Sequence, residues 1–298
     1  MAPPCPRAPT PAARPSGRCA QPHLRSRLWR RGGPYDGWVS RAAAFFDLDK
    51  TVIAKSSALA FTKEFQAGGL LSRTSLLRTA YSQFVFVMAG ADHEQMQKMR
   101  QFMSLLVTGW DVETVRTIVA DTLHHTVDPL VYAEALALIR EHQEAGREVV
   151  IVSASGTEVV GPIGELLGVD HVIASRLEEK DGKYTGEIEF WAYGPTKAEA
   201  MRELAARRGY DLSASYAYSD SSTDEPMLAA VGHPFAVNPD KDLRRIALER
   251  DWPTLVFTRP VRLRDHLPSN RALAGLAIGA TAATVALWWV GRRGRAHA

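Results

Sequence analysis

Asp47 and Asp49 stand two residues apart at the end of an apolar run over 42–46, and Lys50 and Thr51 follow them. On an extended strand, side chains at i and i+2 point the same way, so the two carboxylates are expected on one face. Left alone they would repel, which implies that a cation or a shared proton belongs to the site. Other polar groups follow the same rule of placement. Ser153 ends the apolar run 148–152, Thr196 and Lys197 open a helical stretch, and Tyr218 is followed by Ser219, Asp220, Ser221, Ser222, Thr223 and Asp224. Open α/β sheets gather their sites at the carboxyl ends of the strands, so these groups are expected to converge at one edge. Together they supply a nucleophile, an acid/base, hydroxyls, an ammonium and two further carboxylates, a set suited to phosphoryl transfer assisted by Mg²⁺.

The elements that must hold these groups can be read from periodicity. Short apolar runs at 42–46, 148–152, 171–174, 215–218, 235–238 and 254–257 predict buried strands. Amphipathic stretches beginning at Asp128, Thr157, Thr196 and Ser222 predict helices between them. This alternation is that of an α/β domain with a mostly parallel sheet. The stretch KDGKYTGEIEF at 180–190 carries an Asp-Gly turn between alternating residues and predicts a small inserted β-hairpin. Residues 56–127 break the rhythm. Helical periodicity through 70–88, 93–107 and 112–123, with no strand, predicts a helical insertion after the first strand.

Composition bounds the rest. In 298 residues, 46% hydrophobic against 23% charged excludes a wholly disordered chain. The two cysteines, Cys5 and Cys19, both lie near the amino terminus, so neither a disulfide framework nor a cysteine zinc site holds the fold. The adjacent His124 and His125 face apart on a helix, so no histidine zinc site is expected either. A net charge of +3 comes largely from the two ends, so no nucleic-acid partner is expected.

Residues 1–40 hold eight prolines, seven arginines and one acid, Asp36, and are read as a disordered leader. The folded domain is expected over 41–258, followed by a basic linker over 259–271. Residues 272–290, ALAGLAIGATAATVALWWV, are 19 residues without a charge, bracketed by Arg271 and by Arg292, Arg293 and Arg295. As a helix they would reach about 28 Å, near the ~30 Å hydrocarbon thickness. Trp288 and Trp289 stand where an interfacial aromatic belt would want them, and Gly275 and Gly279 form one GxxxG. The segment is expected to tether a cytoplasmic catalytic domain to the inner membrane, leaving 291–298 as a basic tail; a buried helix of the domain is the alternative.

DLDKT at 47–51, Ser153, Lys197 and DSSTD at 220–224 resemble, in the required order, the four motifs of the haloacid dehalogenase (HAD) superfamily. The resemblance covers residues 42–258. The helical insertion and the DGKYTGEIE hairpin resemble the phosphoserine-phosphatase-like branch, subfamily IB. The resemblance implies a Rossmann-like core with a helical cap over about 56–127. It also implies that Asp47 is the nucleophile forming an aspartyl phosphate, and that Asp49 protonates the leaving alcohol and then serves as base for water. Dehalogenases of the superfamily usually lack the second aspartate, so Asp49 favours a phosphatase or a mutase.

By the same resemblance, Thr51 and Ser153 hold phosphoryl oxygens or orient the nucleophile, and Lys197 neutralises charge between Asp47 and phosphate. Ser155 and Gly156 offer a competing register for the second motif. Mg²⁺ would be held by Asp47, the Asp49 carbonyl and Asp220, with Asp224 orienting this shell or ligating through water. The implied substrate is a small phosphorylated metabolite or a lipid headgroup. Where phosphoserine phosphatases carry a glutamate for the substrate amine, this chain runs from Val52 to Ala58 without an acid, and Glu64 is the first to follow. Lys55, Arg73, Arg78 and Arg100 are candidates to meet a second anionic group. A phosphotransferase or mutase, and a membrane-tethered binding protein without turnover, are the alternative readings. Oligomeric state is not legible.

Overall fold

In a computed structural model of the chain, residues 41–71, 100–101 and 104–261 are described. The five residues of β1 (Ala43–Asp47) are all buried, as expected of a strand covered on both faces. It pairs in parallel with β2 (Glu148–Gly156) on one side and with β5 (Tyr216–Ser219) on the other. Outward from these lie β3 (His171–Lys180) and β4 (Lys183–Phe190) on the β2 side, and β6 (His233–Val237) and β7 (Thr254–Leu255) on the β5 side. The order β4-β3-β2-β1-β5-β6-β7 is parallel throughout except for the β3–β4 pair. Chain order therefore reverses at β1, which puts a crevice at the carboxyl ends of β1, β2 and β5.

Side-chain alternation divides the core into two layers. Ala44, Phe46, Val149 and Ile151 face one way, toward α3 (Val112–Val127), α4 (Ala133–Glu144) and α5 (Thr157–Leu167). Ala43, Phe45, Val150 and Val152 face the other, toward α6 (Pro195–Arg208), α7 (Glu225–Leu228) and α8 (Lys241–Glu249). Phe46 stacks on Tyr218 at 4.3 Å between ring centroids, and the Tyr218 hydroxyl meets His142 Nε2 at 2.9 Å. Two short helices, α1 (Ser57–Ala60) and α2 (Thr62–Ala67), leave the first strand toward the insertion.

Several boundaries differ from the sequence reading, each for a local reason. β2 runs on to Gly156, with a register shift against β3 between Ser153 and Gly156, so Ser153 lies inside the strand. β7 stops at Leu255 because the Asn238 side chain takes over the pairing, donating to Phe257 O and accepting from Phe257 N, both at 3.0 Å. Residues Asp128–Leu130 form a 3-10 turn, and α4 begins only at Ala133. The expected linker is not free where it is described. Ala133 N donates to Arg259 O at 2.9 Å and Val261 N to Val131 O at 2.8 Å, so the core extends at least to Val261.

The hairpin expected as a separate insertion is an outgrowth of a sheet strand. β3 leaves the sheet, turns at Asp181 and Gly182, both at positive φ, and returns as β4. The insertion grips this hairpin through its backbone. Gly109 N donates to Tyr184 O at 2.8 Å, Tyr184 N to Trp110 O at 3.0 Å and Val112 N to Gly182 O at 3.0 Å. Gly186 is needed at this contact, since its φ is +93° and an added Cβ would stand 2.2 Å from Thr108 Oγ1. Of the helices expected in the insertion, 112–123 is observed within α3, residues 100–101 and 104–107 are helical, and the remainder falls largely outside the described residues. Among the described residues no helix is long and apolar enough to cross a membrane; residues 1–40 and the apolar segment 272–290 lie outside them.

Candidate active site

β1 ends at Asp47, and the chain bends at once. Val52 N and Ile53 N both bond back to Leu48 O, at 2.9 and 3.0 Å, and Lys50 takes φ +61°. Asp49 therefore stands in a turn and not on the strand, and the i, i+2 alternation expected to pair it with Asp47 does not place it. The bend returns Ser56 and Ser57 to Asp49: Ser57 N donates to Oδ1 at 2.8 Å, and Ser56 Oγ lies 3.4 Å from Oδ2. From β2, Ser155 Oγ lies 3.4 Å from the same Oδ2 and 2.7 Å from Ser57 Oγ. Ser155 N in turn donates to the buried Ser153 Oγ at 3.2 Å.

Lys197 stands in the first turn of α6, after Gly194 and Pro195. Gly194 has φ +57°, which favours glycine, and Pro195 fits the first helical position because no backbone donor is needed there. The Lys197 ammonium is buried and donates to Asp47 Oδ1 at 2.6 Å and to Asp224 Oδ2 at 2.8 Å. Asp224 Oδ2 also accepts from Ser219 Oγ at 2.7 Å. Asp224, expected to orient a metal shell or to ligate through water, is bonded through Oδ2 to the lysine and to Ser219. Asp220 follows β5, and its carbonyl accepts from Asp240 N at 2.8 Å.

The electrostatics are one-sided. Burial pushes the Asp47 carboxyl well above its usual range, the Lys197 ammonium opposes this, and Asp224, Asp220 and Asp49 reinforce it. Burial raises Asp220 to about 7, against the pull of Lys50 and with the push of Asp224. Asp49 is also raised by burial, opposed by its hydrogen bonds from Ser57. Burial works against the charge on Lys197, yet Asp224 and Asp47 outweigh it and hold the ammonium protonated above its ordinary range.

Such a surplus of buried carboxylate oxygen suits a hard divalent cation, and Asp47 and Asp220 are the acids whose crowding it would relieve. No three Asp, Glu, His or Cys side chains form a ready ligand cluster among the described residues. A cation here would thus need backbone and water oxygens beyond two carboxylates. Thr51 Oγ1 is buried in the bend with no hydrogen-bond partner. Of the candidate basic residues, Lys55 is exposed, whereas Arg100 is turned to the hairpin, donating to Ile188 O at 3.4 Å with its guanidinium 5.9 Å from the Trp191 ring centroid. Arg73 and Arg78 lie outside the described residues.

The structure thus brings the predicted residues into two bonded groups, Asp47 and Asp224 on Lys197, and Asp49 and Ser153 on Ser155, with Asp49 and Asp220 within electrostatic reach of Asp47. Gly156 ends β2 and precedes α5 without a side-chain role. Sequence reasoning missed Ser57 and gave Ser219 no role. Ser219 stands next to Asp220 and Ser57 six residues past Thr51, but only the fold of the strand end and of the bend reveals their partners.

The chain belongs to the haloacid dehalogenase-like hydrolase family, whose profile matches residues 44–229. It is 60% identical, over 87% of this chain and 96% of the other, to the inhibition of morphological differentiation protein of Streptomyces azureus. It is 57% identical, over 79% of this chain and 82% of the other, to a probable phosphatase of Mycobacterium tuberculosis. Its fold is shared with a substrate-bound phosphoserine phosphatase, at TM-score 0.55 and 21% identity over 76% of this chain and 96% of that one.

Proposed function

We propose that the protein is a Mg²⁺-dependent phosphomonoesterase that works through an aspartyl phosphate on Asp47. The observation that carries this reading is the buried carboxylate of Asp47 at the end of β1, held by Lys197 at 2.6 Å beside a second acid, Asp49, ringed by hydroxyls. The resemblance to a relative named a probable phosphatase supports it. Lys197 orients the nucleophile through Oδ1 and places positive charge beside the incoming phosphoryl group. Asp224, bonded to Lys197 and Ser219, fixes the ammonium in that position. Asp49 gives a proton to the leaving alcohol and takes one from the hydrolytic water. Thr51 and Ser153 contribute hydroxyls toward phosphoryl oxygens.

Asp47, the Asp49 carbonyl and Asp220 would hold Mg²⁺, which when bound supplies Lewis-acid charge against the phosphoryl oxygens. The substrate is a small phosphorylated metabolite or a phosphorylated lipid headgroup. The absence of an acid from Val52 to Ala58 disfavours a substrate recognised by its amine alone. Residues 272–290 would tether the enzyme at the inner face of the cytoplasmic membrane; recovery of the full chain in the soluble fraction at low and high salt would remove that part of the proposal.

The test of the activity is phosphate release by the full chain from phosphoserine, glycerol 3-phosphate, p-nitrophenyl phosphate and lysophosphatidic acid, with and without Mg²⁺, beside Asp47→Asn. Activity that requires Mg²⁺ and is lost in Asp47→Asn, which keeps the shape and removes the nucleophile, is the expected result. No turnover of any ester, with Mg²⁺ still bound, would overturn it.

A further inference from the structure

The surroundings of Asp49 distinguish its two oxygens. Oδ1 accepts the Ser57 backbone N–H at 2.8 Å. A backbone amide only donates, so one acceptor position of Oδ1 is taken whichever form the carboxyl takes. Oδ2 meets only hydroxyls, Ser56 Oγ and Ser155 Oγ, each at 3.4 Å. At that distance neither bond is strong, so a reacting oxygen can displace them. Hydroxyls also rotate, and each can donate or accept. Behind Ser155 stands Ser57, whose hydroxyl is 2.7 Å from the Ser155 hydroxyl and whose side chain is fully buried. Ser57 thus holds Asp49 twice, directly through its amide and indirectly through Ser155.

We infer that Ser57 and Ser155 are positioning residues that make Oδ2 of Asp49, and not Oδ1, the oxygen that exchanges the proton with the leaving alcohol and with water. The inference rests on the phosphatase reading above and deepens it. In the first half-reaction the bond from Asp47 to phosphorus forms, the bond from phosphorus to the alcohol oxygen breaks, and the Oδ2 proton passes to that oxygen. In the second, a water oxygen bonds to phosphorus, the Asp47 bond breaks, and the water proton returns to Oδ2. The proton count closes over one turnover.

A leaving group that needs no proton provides the readout. p-Nitrophenolate departs as an anion, whereas the alkoxide of glycerol 3-phosphate must be protonated, so a misplaced Asp49 penalises only the second ester. The experiment compares kcat/KM, which reports the first half-reaction, for both esters in the full-length wild type, Ser57→Ala, Ser155→Ala and Ser155→Thr. For the two alanine variants the expected loss on glycerol 3-phosphate is about 10- to 100-fold greater than on p-nitrophenyl phosphate, within the range of general acid catalysis. Ser155→Thr, which restores a hydroxyl, recovers most of it. Equal losses on the two esters would assign the serines to folding or phosphate binding and overturn the inference, as would no loss at all; melting temperatures identify any variant that is merely unfolded, and Ser155→Thr then decides. Wild-type turnover that is lost in Asp47→Asn checks the phosphatase reading separately. If the wild type releases phosphate from neither ester, that reading falls and takes this inference with it.

Discussion

At the amino end of β2 one acid, Glu148, is met by Arg41, Arg208, Tyr210 and His171, whereas at the carboxyl ends of the same sheet four acids gather around one buried ammonium. Burial works against the charge of Glu148, but the Tyr210 hydroxyl, Arg208 and His171 outweigh it and hold the carboxyl at about 2. Asp47 and Asp220 are pushed the other way, because burial and like charge act together on them. One end is an ion-pair cluster complete in itself, and it serves stability. The other is charge held out of balance, and the imbalance prepares it for a cation and a phosphoryl group. The same side-chain chemistry thus gives opposite results, depending on whether donors outnumber acids.

The hardest way to break the contrast is to remove the one compensating charge at the acidic end. Lys197→Met should abolish turnover and cost about 3 to 5 kcal/mol, since it leaves buried charge unpaired. The sign of its pH dependence is distinctive. With the lysine gone, the folded state holds protons on Asp47 and Asp220 that the unfolded chain has released, so stability should fall as pH rises from 5 to 8. Denaturant unfolding at both pH values checks this; a loss independent of pH would mean that these acids are not crowded.

A gentler test supplies the missing charge. Mg²⁺ at about 100 times its dissociation constant should stabilise the wild type by about 2.7 kcal/mol, seen as a rise in melting temperature. Asp220→Asn should lose most of that rise, while Glu148→Gln should keep it. Equal rises in all three proteins would place the cation elsewhere.

The smallest effect is expected at the complete end. Glu148→Gln should lower stability by about 1 to 2 kcal/mol at neutral pH and leave kcat/KM unchanged. Because the folded-state pKa of Glu148 is depressed, its contribution is present above the ordinary glutamate value of about 4.3 and is lost as pH falls toward about 2. The two proteins should therefore converge in stability in acid.

The sequence was most legible where one physical rule decided the outcome. The fully buried β1 and the acids after it were evident because a continuous apolar run ending in aspartates has few other uses in an α/β chain. Reading failed where backbone turns override alternation. Asp49 looked like a strand residue, yet the left-handed Lys50 and the return to Ser57 place it, and no period encodes that reversal. At Asp224, motif spacing does not show that Ser219 and Lys197 both donate to Oδ2. The Glu148 cluster was invisible for another reason: its partners are drawn from positions 41, 171, 208 and 210, and only the sheet brings them together.

Beside the Arg100 and Arg116 side chains, the hairpin's grip on the insertion is made by main-chain groups from Gly109 to Val112, bonds that depend little on side-chain identity beyond the turn and Gly186. A joint of that kind is tolerant of divergence. Descendants of such a chain can rewrite the chemistry of the insertion, and with it the range of molecules admitted, while the joint and the reaction below it stay as they are.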